Sequence, residues 1–446
     1  NTLFKEITAL PITKRPVRIV SVRKGEIFRP GKEIEGLRGG VHQVPPRGWA
    51  GGLSRSVIEP PEASSATAEG SGQIGRRSHR PRAETNRTGD KKAVHVKMAT
   101  EVITGSLSRN AQTPADAAVV IPTVLRPSLL RAVRSVFDQS LAGHIQILIG
   151  IDQRQGDGAL LDTLSRECPA NVTLTILDLG YSTSRRHGGF YTNYYSGALR
   201  TILSYAANSK YVAYLDDDDW WGRQHLSSLL SAIAHKDWAF SYRWMADRET
   251  GWPICRDEWD SMGPEAGINE KRFGGFVSPS NLLLNKDACH FILPYWSQSP
   301  FADGTGEDRL VFRELLKHPL WAATGKYTCY YEIAREVQEH IHHAREFAAR
   351  HISWMSNRTQ IDTIVQLSEE ASAAFKRHDI DAAIANCRRA LALNPHHAEV
   401  LYCLALAQWQ TGNVSEAFSH ITHAMEVNDH DPNIVALWTG IRGLGV

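Results

Sequence analysis

The chain has 446 residues, which is too long for one small domain and predicts two or three. Its 42% hydrophobic and 22% charged residues are typical of a globular protein, and a net charge of +2 excludes a strong overall preference for nucleic acid or an anionic membrane. No stretch approaches the roughly 18 apolar residues of a membrane span, and the six cysteines form no CxxC pair, so we expect no membrane span and a reducing, cytoplasmic setting.

The first 97 residues carry an excess of positive charge, with 19 Lys and Arg against 9 Asp and Glu. This segment therefore carries a net charge of +10 and the rest of the chain −8. Glycine, proline and serine interrupt its apolar runs, so it cannot bury enough apolar surface to offset the entropy of ordering. We predict that residues 1–113 are a basic, mostly disordered segment. An alternative is that the native chain starts at Met98.

Residues 114–350 alternate short apolar strands with amphipathic helices. Strands are predicted at 118–121, 145–151, 174–177 and 211–215, and helices at 128–139 and 197–207. Strands and helices that alternate at this spacing indicate βαβ units, and hence an α/β/α sandwich around a mostly parallel sheet. Because ligands bind beyond the carboxyl ends of such strands, we expect the site just after residues 121, 151 and 215.

Residues 360–446 repeat with a period of 34. The shift aligns Leu367 with Leu401 and places alanines at matching positions (Ala371 and Ala405, Ala383 and Ala417, Ala390 and Ala424). Small residues at this spacing let two antiparallel helices approach closely. The period resembles the tetratricopeptide repeat and predicts a small all-α domain with a possible protein partner. An ordinary helical hairpin is the alternative.

Four consecutive aspartates, Asp216 to Asp219, directly follow the predicted strand 211–215. Carboxylates packed this closely repel one another, and a divalent cation relieves the repulsion. The alternate residues Asp216 and Asp218 can turn to one side and offer oxygen ligands to Mg²⁺ or Mn²⁺, which keeps positions open for the oxygens of a diphosphate. The alternative is a solvated acidic turn.

Three motifs together resemble glycosyltransferase family 2, which has the Rossmann-like GT-A fold. They are the aspartate run, the opening segment Val119-Val120-Ile121-Pro122-Thr123 and the later Gly306-Glu307-Asp308-Arg309-Leu310. The resemblance spans residues 115–343, about half of the chain. It implies an inverting hexosyltransferase or similar enzyme that moves a sugar from a nucleotide-sugar, by family habit a UDP-sugar, to a hydroxyl of a sugar, lipid-linked or protein acceptor.

The resemblance also assigns roles to individual residues. Asp216 and Asp218 match the DXD carboxylates that hold the metal, and Asp217 belongs to the same donor site. Asp152, after the second strand, matches the acidic residue that contacts the nucleotide base. Pro122 and Thr123 match the loop that borders the nucleotide.

Glu307 and Asp308 match the family's Glu-Asp pair. Inversion at a sugar carbon needs a base that accepts the proton of the attacking hydroxyl, and the resemblance assigns this role to Asp308. Glu307 would orient the acceptor or its loop. Taken alone, a Glu-Asp pair at a helix start is typical of a capping and helix-dipole feature.

Histidines near the end of this region offer one more candidate ligand. Some GT-A enzymes recruit a late histidine to the metal, and His342 lies about where that histidine would fall. A solvated helix face running into Ala344-Arg345-Glu346 is the alternative.

Two other functions stay open. A nucleotidyltransferase would share the nucleotide-binding sheet and carboxylate-bound Mg²⁺, but it usually has a glycine-rich loop after the first strand, and residues 122–126 contain no glycine. The second is a non-catalytic scaffold, in which the repeats bind a protein and an inert domain binds nucleotide-sugar.

Overall fold

The computed structural model describes residues 101–104, 113–190, 193–334, 340–352 and 358–443. The basic residues 1–97, which the sequence analysis predicts to be mostly disordered, lie outside these ranges. No helix among the described residues combines the length and apolar character needed to cross a membrane.

Within the described ranges, ten strands form the main sheet, and two short strands pair separately. The strands are β1 (Glu101–Thr104), β2 (Ala117–Thr123), β3 (Ile145–Ile151), β4 (Val172–Asp178), β5 (Tyr211–Tyr214), β6 (Trp220–Trp221), β7 (Trp238–Asp247), β8 (Pro253–Arg256), β9 (Gly263–Pro264), β10 (Gly275–Phe276), β11 (Leu282–Asn285) and β12 (Trp321–Ile333). The order in the main sheet is β1-β4-β3-β2-β5-β11-β7-β12-β6, with β8 paired to β7.

Helices cover this sheet and continue beyond it. They are α1 (Leu129–Phe137), α2 (Ala159–Glu167), α3 (Gly197–Ala206), α4 (His225–Ala232), α5 (Glu270–Phe273), α6 (Lys286–Cys289), α7 (Glu307–Leu315), α8 (Ile341–Ala349), α9 (Arg358–Lys376), α10 (Ile380–Leu393), α11 (Ala398–Gln410), α12 (Val414–Val427) and α13 (Pro432–Arg442). The predicted combination of an α/β fold with a C-terminal all-α region is confirmed.

Strands β2, β3, β4 and β5 are parallel, as the βαβ pattern predicts. Every residue of β2 is buried, because helices lie on both faces of the sheet. Val119 and Ile121 join one apolar cluster with α1 and α4, whereas Ala118 and Val120 join the opposite cluster with α3 and α7. Because β2 and β5 are parallel neighbours, their carboxyl ends lie at the same edge of the sheet.

The C-terminal half of the sheet mixes pairings that the sequence did not reveal. Strand β11 is antiparallel to both β5 and β7, and the long β12 is parallel to β7. At the opposite edge β1 pairs antiparallel with β4. Strand β1 lies inside the segment that the sequence analysis assigned to disorder.

Helices α9 to α13 form the repeat region. The alanines predicted to sit between helices are completely buried (Ala371, Ala383, Ala390, Ala405, Ala417 and Ala424, each 0% exposed). These alanines let neighbouring helices pack closely, as the 34-residue period predicts.

Two loops of the repeat region, 394–397 and 428–431, lie against the α/β region, within the same compact unit. Tyr330 donates a hydrogen bond to the carbonyl oxygen of Val427 at 2.6 Å, and His430 Nε2 lies 2.8 Å from the carbonyl oxygen of Trp221. In the first loop the His397 ring stacks at a tilt on Trp252, 4.4 Å between centroids. The repeats are therefore joined to the sheet by hydrogen bonds and ring contacts.

Candidate functional site

A cavity of about 520 Å³ opens at the carboxyl ends of β2 and β5. Three segments that are far apart in sequence meet on its wall: Pro122 to Val124, Asp216 to Asp218, and Gly306 to Arg309. The Tyr and Phe side chains on the wall are Tyr195, Phe276 and Tyr331. No tryptophan is among the described lining residues.

Two arginines form ion pairs with three of the four aspartates in the run. Arg126 Nη2 lies 2.7 Å from Asp217 Oδ1, and its Nη1 lies 2.6 Å from Asp218 Oδ2. Arg200, on α3, pairs with Asp216. The repulsion expected among these carboxylates is thus offset by guanidinium groups within the chain itself.

The aspartates differ sharply in exposure. The side chains of Asp216 and Asp218 are 27% and 24% exposed, whereas that of Asp217 is 2% exposed and accepts a 2.6 Å hydrogen bond from Thr123 Oγ1. Burial, together with neighbouring Asp218, raises the pKa of Asp217 to about 7. Asp216 and Asp218 offer the hard oxygen ligands that Mg²⁺ and Mn²⁺ prefer, so these residues fit a divalent cation. Asp219 is buried and accepts a hydrogen bond from the backbone N–H of Glu332.

The start of α7 carries the candidate base. Gly306 precedes it with φ at 81°, and a Cβ at that position would lie 2.6 Å from the ring of Phe301. The glycine therefore permits the close approach that turns Glu307 and Asp308 onto the cavity wall. Asp308 Oδ1 accepts a 2.7 Å hydrogen bond from the backbone N–H of Arg309.

Glu307 and Asp308 have different surroundings. Glu307 is 4% exposed, and its Oε2 is buried without a hydrogen-bond partner. Burial and the neighbouring Asp308 charge raise the pKa of Glu307 to about 8. Arg200 Nη1 lies 3.5 Å from Glu307 Oε1, so this guanidinium spans Asp216 and Glu307. Arg200 thereby links the candidate metal ligands to the Glu-Asp pair.

Asp152 is placed away from the wall. It is 1% exposed and lies outside the described lining residues. Its carboxylate accepts hydrogen bonds from the loop that follows β4 (Ser182 Oγ at 3.0 Å, Thr183 N at 3.0 Å and Ser184 Oγ at 2.7 Å). The structure thus gives Asp152 a part in holding that loop, and Ser184 of the same loop does line the cavity. Contact of Asp152 with a nucleotide base stays a prediction.

His342 lies on the wall of the same cavity as the aspartate run, and its role as a metal ligand stays a prediction. Ligand atoms of His342, His343 and Asp260 lie within 4.8 Å of one another, and the aspartate run contributes no such three-ligand group among the described residues. Asp260 already pairs with Arg243 at 2.7 Å and accepts a 2.6 Å hydrogen bond from Asn269. Burial by itself would raise its pKa, but Arg243 and Arg309 lower the pKa of Asp260 to about 2.

The protonation of His343 argues against this second group as a metal site. The indole N–H of Trp259 can only donate, and it lies 3.3 Å from His343 Nδ1, so Nδ1 accepts. Burial, with a contribution from Arg243, lowers the pKa of His343 to about 2, so the ring is neutral and its proton sits on Nε2. In this tautomer the Nδ1 lone pair accepts from Trp259 and the buried Nε2 proton has no hydrogen-bond partner among the described residues, so a metal could bind His343 only by displacing one of these protons.

The sequence analysis did not identify several residues of the site. They are Arg126, Arg200, Arg243 and Asp260, and they build the ion pairs around the wall. Arg200 could have been noticed, because an arginine in the apolar helix segment Gly-Ala-Leu-Arg-Thr-Ile-Leu is a candidate for a buried ion pair.

A model of the tetratricopeptide repeat family matches residues 374–437. The C-terminal helices contain a tetratricopeptide repeat. This match confirms the repeat prediction, and it covers the repeat region alone. A comparison with curated protein sequences finds no significant match.

Solved structures give weak overall similarities. S. aureus TarS is 12% identical with a TM-score of 0.36, over 70% of this chain and 54% of TarS, so the chain spans about half of that protein. The TarS 1–349 structure in complex with UDP-GlcNAc is 12% identical with a TM-score of 0.36, over 74% of this chain and 92% of the fragment. A Thermobaculum terrenum O-GlcNAc transferase mutant is 24% identical over 20% of this chain and 16% of its own, with a TM-score of 0.19. Scores this low support no argument, so the site is judged on its own geometry.

Proposed function

We propose that this protein is a glycosyltransferase that moves a sugar, with inversion, from a nucleotide-sugar to an acceptor hydroxyl. One observation supports the proposal. The loop after β2, the aspartate run and the Glu-Asp pair line one cavity, although each lies about 90 residues from the next in the sequence. This is the combination that donor binding and base catalysis need together.

Each part of the wall has a task in this reaction. A divalent cation held by Asp216 and Asp218 would supply the positive charge that binds the diphosphate and stabilises it as it departs. Asp308 accepts the proton of the acceptor hydroxyl while that oxygen attacks the anomeric carbon. Arg200 keeps Asp216 and Glu307 in fixed relation, which holds the donor side and the acceptor side of the cavity together.

Ligand-dependent thermal unfolding tests the proposal. The panel is UDP, UDP-GlcNAc, a GDP-sugar and a nucleoside triphosphate, each with and without Mn²⁺; the first two are the ligands seen with TarS. A ligand at 100 times its dissociation constant stabilises the protein by about 2.7 kcal/mol, which gives a clear shift. We expect a shift with a nucleotide-sugar and Mn²⁺, and a loss of its Mn²⁺ dependence in Asp218→Asn.

Other outcomes would contradict the proposal. A shift with the triphosphate alone would favour a nucleotidyltransferase. No shift with any nucleotide-sugar would favour a scaffold whose repeats bind a protein partner. Surface variant Asp162→Asn, on α2 outside the cavity, serves as the control for a nonspecific charge effect.

A further inference from the structure

Arg126 contacts Asp218, which is one of the two candidate cation ligands on the aspartate run. Its guanidinium bridges Asp217 Oδ1 and Asp218 Oδ2 at 2.7 and 2.6 Å. A guanidinium and a divalent cation cannot use the same carboxylate oxygens at once, because both carry positive charge and both need the same lone pairs.

The backbone on either side of Arg126 is held firmly. Leu125 is completely buried, has φ at 65° and donates its backbone N–H to Thr123 Oγ1 at 2.8 Å. Pro127 follows and has a fixed φ. The backbone therefore stays in place, and any movement of Arg126 falls to its long side chain.

The side chain of Arg126 is 49% exposed, so it can leave the carboxylates for solvent without opening the core. Arg200 differs in this respect. Its side chain is 9% exposed within α3 and is paired at both ends, with Asp216 and Glu307, so it stays in the protein. Of the two arginines on the aspartate run, only Arg126 can be exchanged for another cation.

We propose that Arg126 is an internal counter-ion that competes with the divalent cation for Asp218, and so sets the cation affinity of the site. In the free protein its guanidinium holds the two carboxylates together. When the cation binds, the side chain swings towards the cavity opening and gives up its ion pair with Asp218. The inference rests on the proposed function only in taking Asp218 as a cation ligand.

Mn²⁺ binding to the full chain, measured by electron paramagnetic resonance of the free ion at fixed pH, tests this competition without any activity measurement. The ion pair between Arg126 and Asp218 is partly exposed and therefore weak, so removing it should tighten Mn²⁺ binding by about two- to fivefold in Arg126→Gln. Arg126→Lys keeps the charge but loses the two-oxygen bridge, and we expect an intermediate affinity from it.

Arg134→Gln is the matched control. Arg134 also contacts a carboxylate through two nitrogens, with Glu167 at 2.7 and 2.8 Å, and its side chain is 47% exposed, but it lies away from the cavity. Its Mn²⁺ affinity should equal that of the wild type. Unchanged or weaker binding in both Arg126 variants would overturn the inference, because Arg126 would then be neutral or helpful to the cation.

The same preparations separate this inference from the proposed function. If Arg126→Gln tightens Mn²⁺ while no nucleotide-sugar binds, the competition stands and the glycosyltransferase proposal fails. If nucleotide-sugar binds but neither the wild type nor the Arg126 variants binds Mn²⁺, the competition fails and the transferase proposal survives in a metal-independent form.

Discussion

The adjacent carboxyl groups of Glu307 and Asp308, at the start of α7, differ in burial and in their hydrogen-bond partners. Glu307 is buried with one oxygen unpartnered and a pKa raised to about 8, whereas Asp308 is partly exposed on the cavity wall. A group that keeps its proton at neutral pH is poorly suited to accept another one. The geometry therefore favours Asp308 for proton acceptance and Glu307 for a hydrogen bond that orients the acceptor.

Asp308→Asn should separate binding from chemistry. The amide keeps the shape and a carbonyl oxygen but cannot accept the proton of the acceptor, so we expect kcat to fall by at least about 10²-fold. Donor binding should stay near that of the wild type, because the candidate cation ligands are elsewhere. The measurement is the transfer rate at saturating donor and acceptor, together with donor affinity.

Glu307→Gln is the companion variant. Because Glu307 holds its proton in the free protein, an amide should cost less than it does at Asp308. If Glu307→Gln were the more damaging change and Asp308→Asn turned over nearly normally, the assignment of the base would have to move to Glu307.

At the scale of elements, the repeat brings matched loops to the α/β region. Asn394 and Asn428, one period apart, each accept a hydrogen bond from the backbone N–H two residues later. Asp429, in the second loop, then reaches the start of α4, where its two oxygens accept from the backbone N–H groups of Arg223 at 2.8 Å and Gln224 at 3.2 Å. One repeat loop thus satisfies two backbone donors of the other region, in the turn that leads into α4.

Asp429→Ala should destabilise the protein by about 1–2 kcal/mol, since two backbone donors lose their acceptor and each hydrogen bond contributes about 0.5–1.5 kcal/mol. Urea unfolding measures the change in the free energy of unfolding. Glu369→Ala removes an exposed acid of α9 and should leave stability almost unchanged. Equal effects in the two variants would show that Asp429 does not support the contact.

At the scale of the whole molecule, buried histidines make the joint between the two regions sensitive to acid. Burial lowers the pKa of His396 and of His397 to about 4. His397 caps α11 by accepting from the backbone N–H of Val400, and its ring contacts Trp252. Protonation of His397 would remove its hydrogen bond from Val400 and place a positive charge among buried rings.

The sign of this pH dependence follows from the lowered pKa. Unfolded His397 takes up a proton near pH 6.5 and folded His397 only near pH 4, so the stability it supports is complete above pH 6.5 and is lost as the pH falls through this window. From pH 7 to pH 5 the loss from this one group is about 2 kcal/mol. His397→Asn keeps a capping side chain without titrating and should remove that part of the slope.

Urea unfolding at pH 7 and pH 5 provides the comparison. His290→Asn, at an exposed position, is the control and should leave the slope of the wild type intact. A slope unchanged by His397→Asn would show that other groups carry the acid sensitivity.

Local patterns were sufficient for much of this protein. Alternation and length predicted β2 to β5, and β3 agrees to the residue at 145–151. The aspartate run was predicted at the carboxyl end of β5, and it lines the cavity there. The period of 34 predicted the buried alanines of the repeat. Each of these features depends on backbone periodicity or on the end of a strand, which neighbouring residues decide.

Only the tertiary structure decided which groups the side chains of the site contact. A carboxylate in the sequence can meet a metal, an arginine or a backbone N–H, and only the folded chain brings Arg126 to Asp217 and Asp218 or the loop after β4 to Asp152. His342 was predicted as a further metal ligand, and only the folded chain shows it beside Asp260 and His343 on the wall of the same cavity as the aspartate run. Ion pairs and hydrogen bonds between distant segments carry no period, because they depend on how whole elements pack, and sequence spacing cannot reveal them.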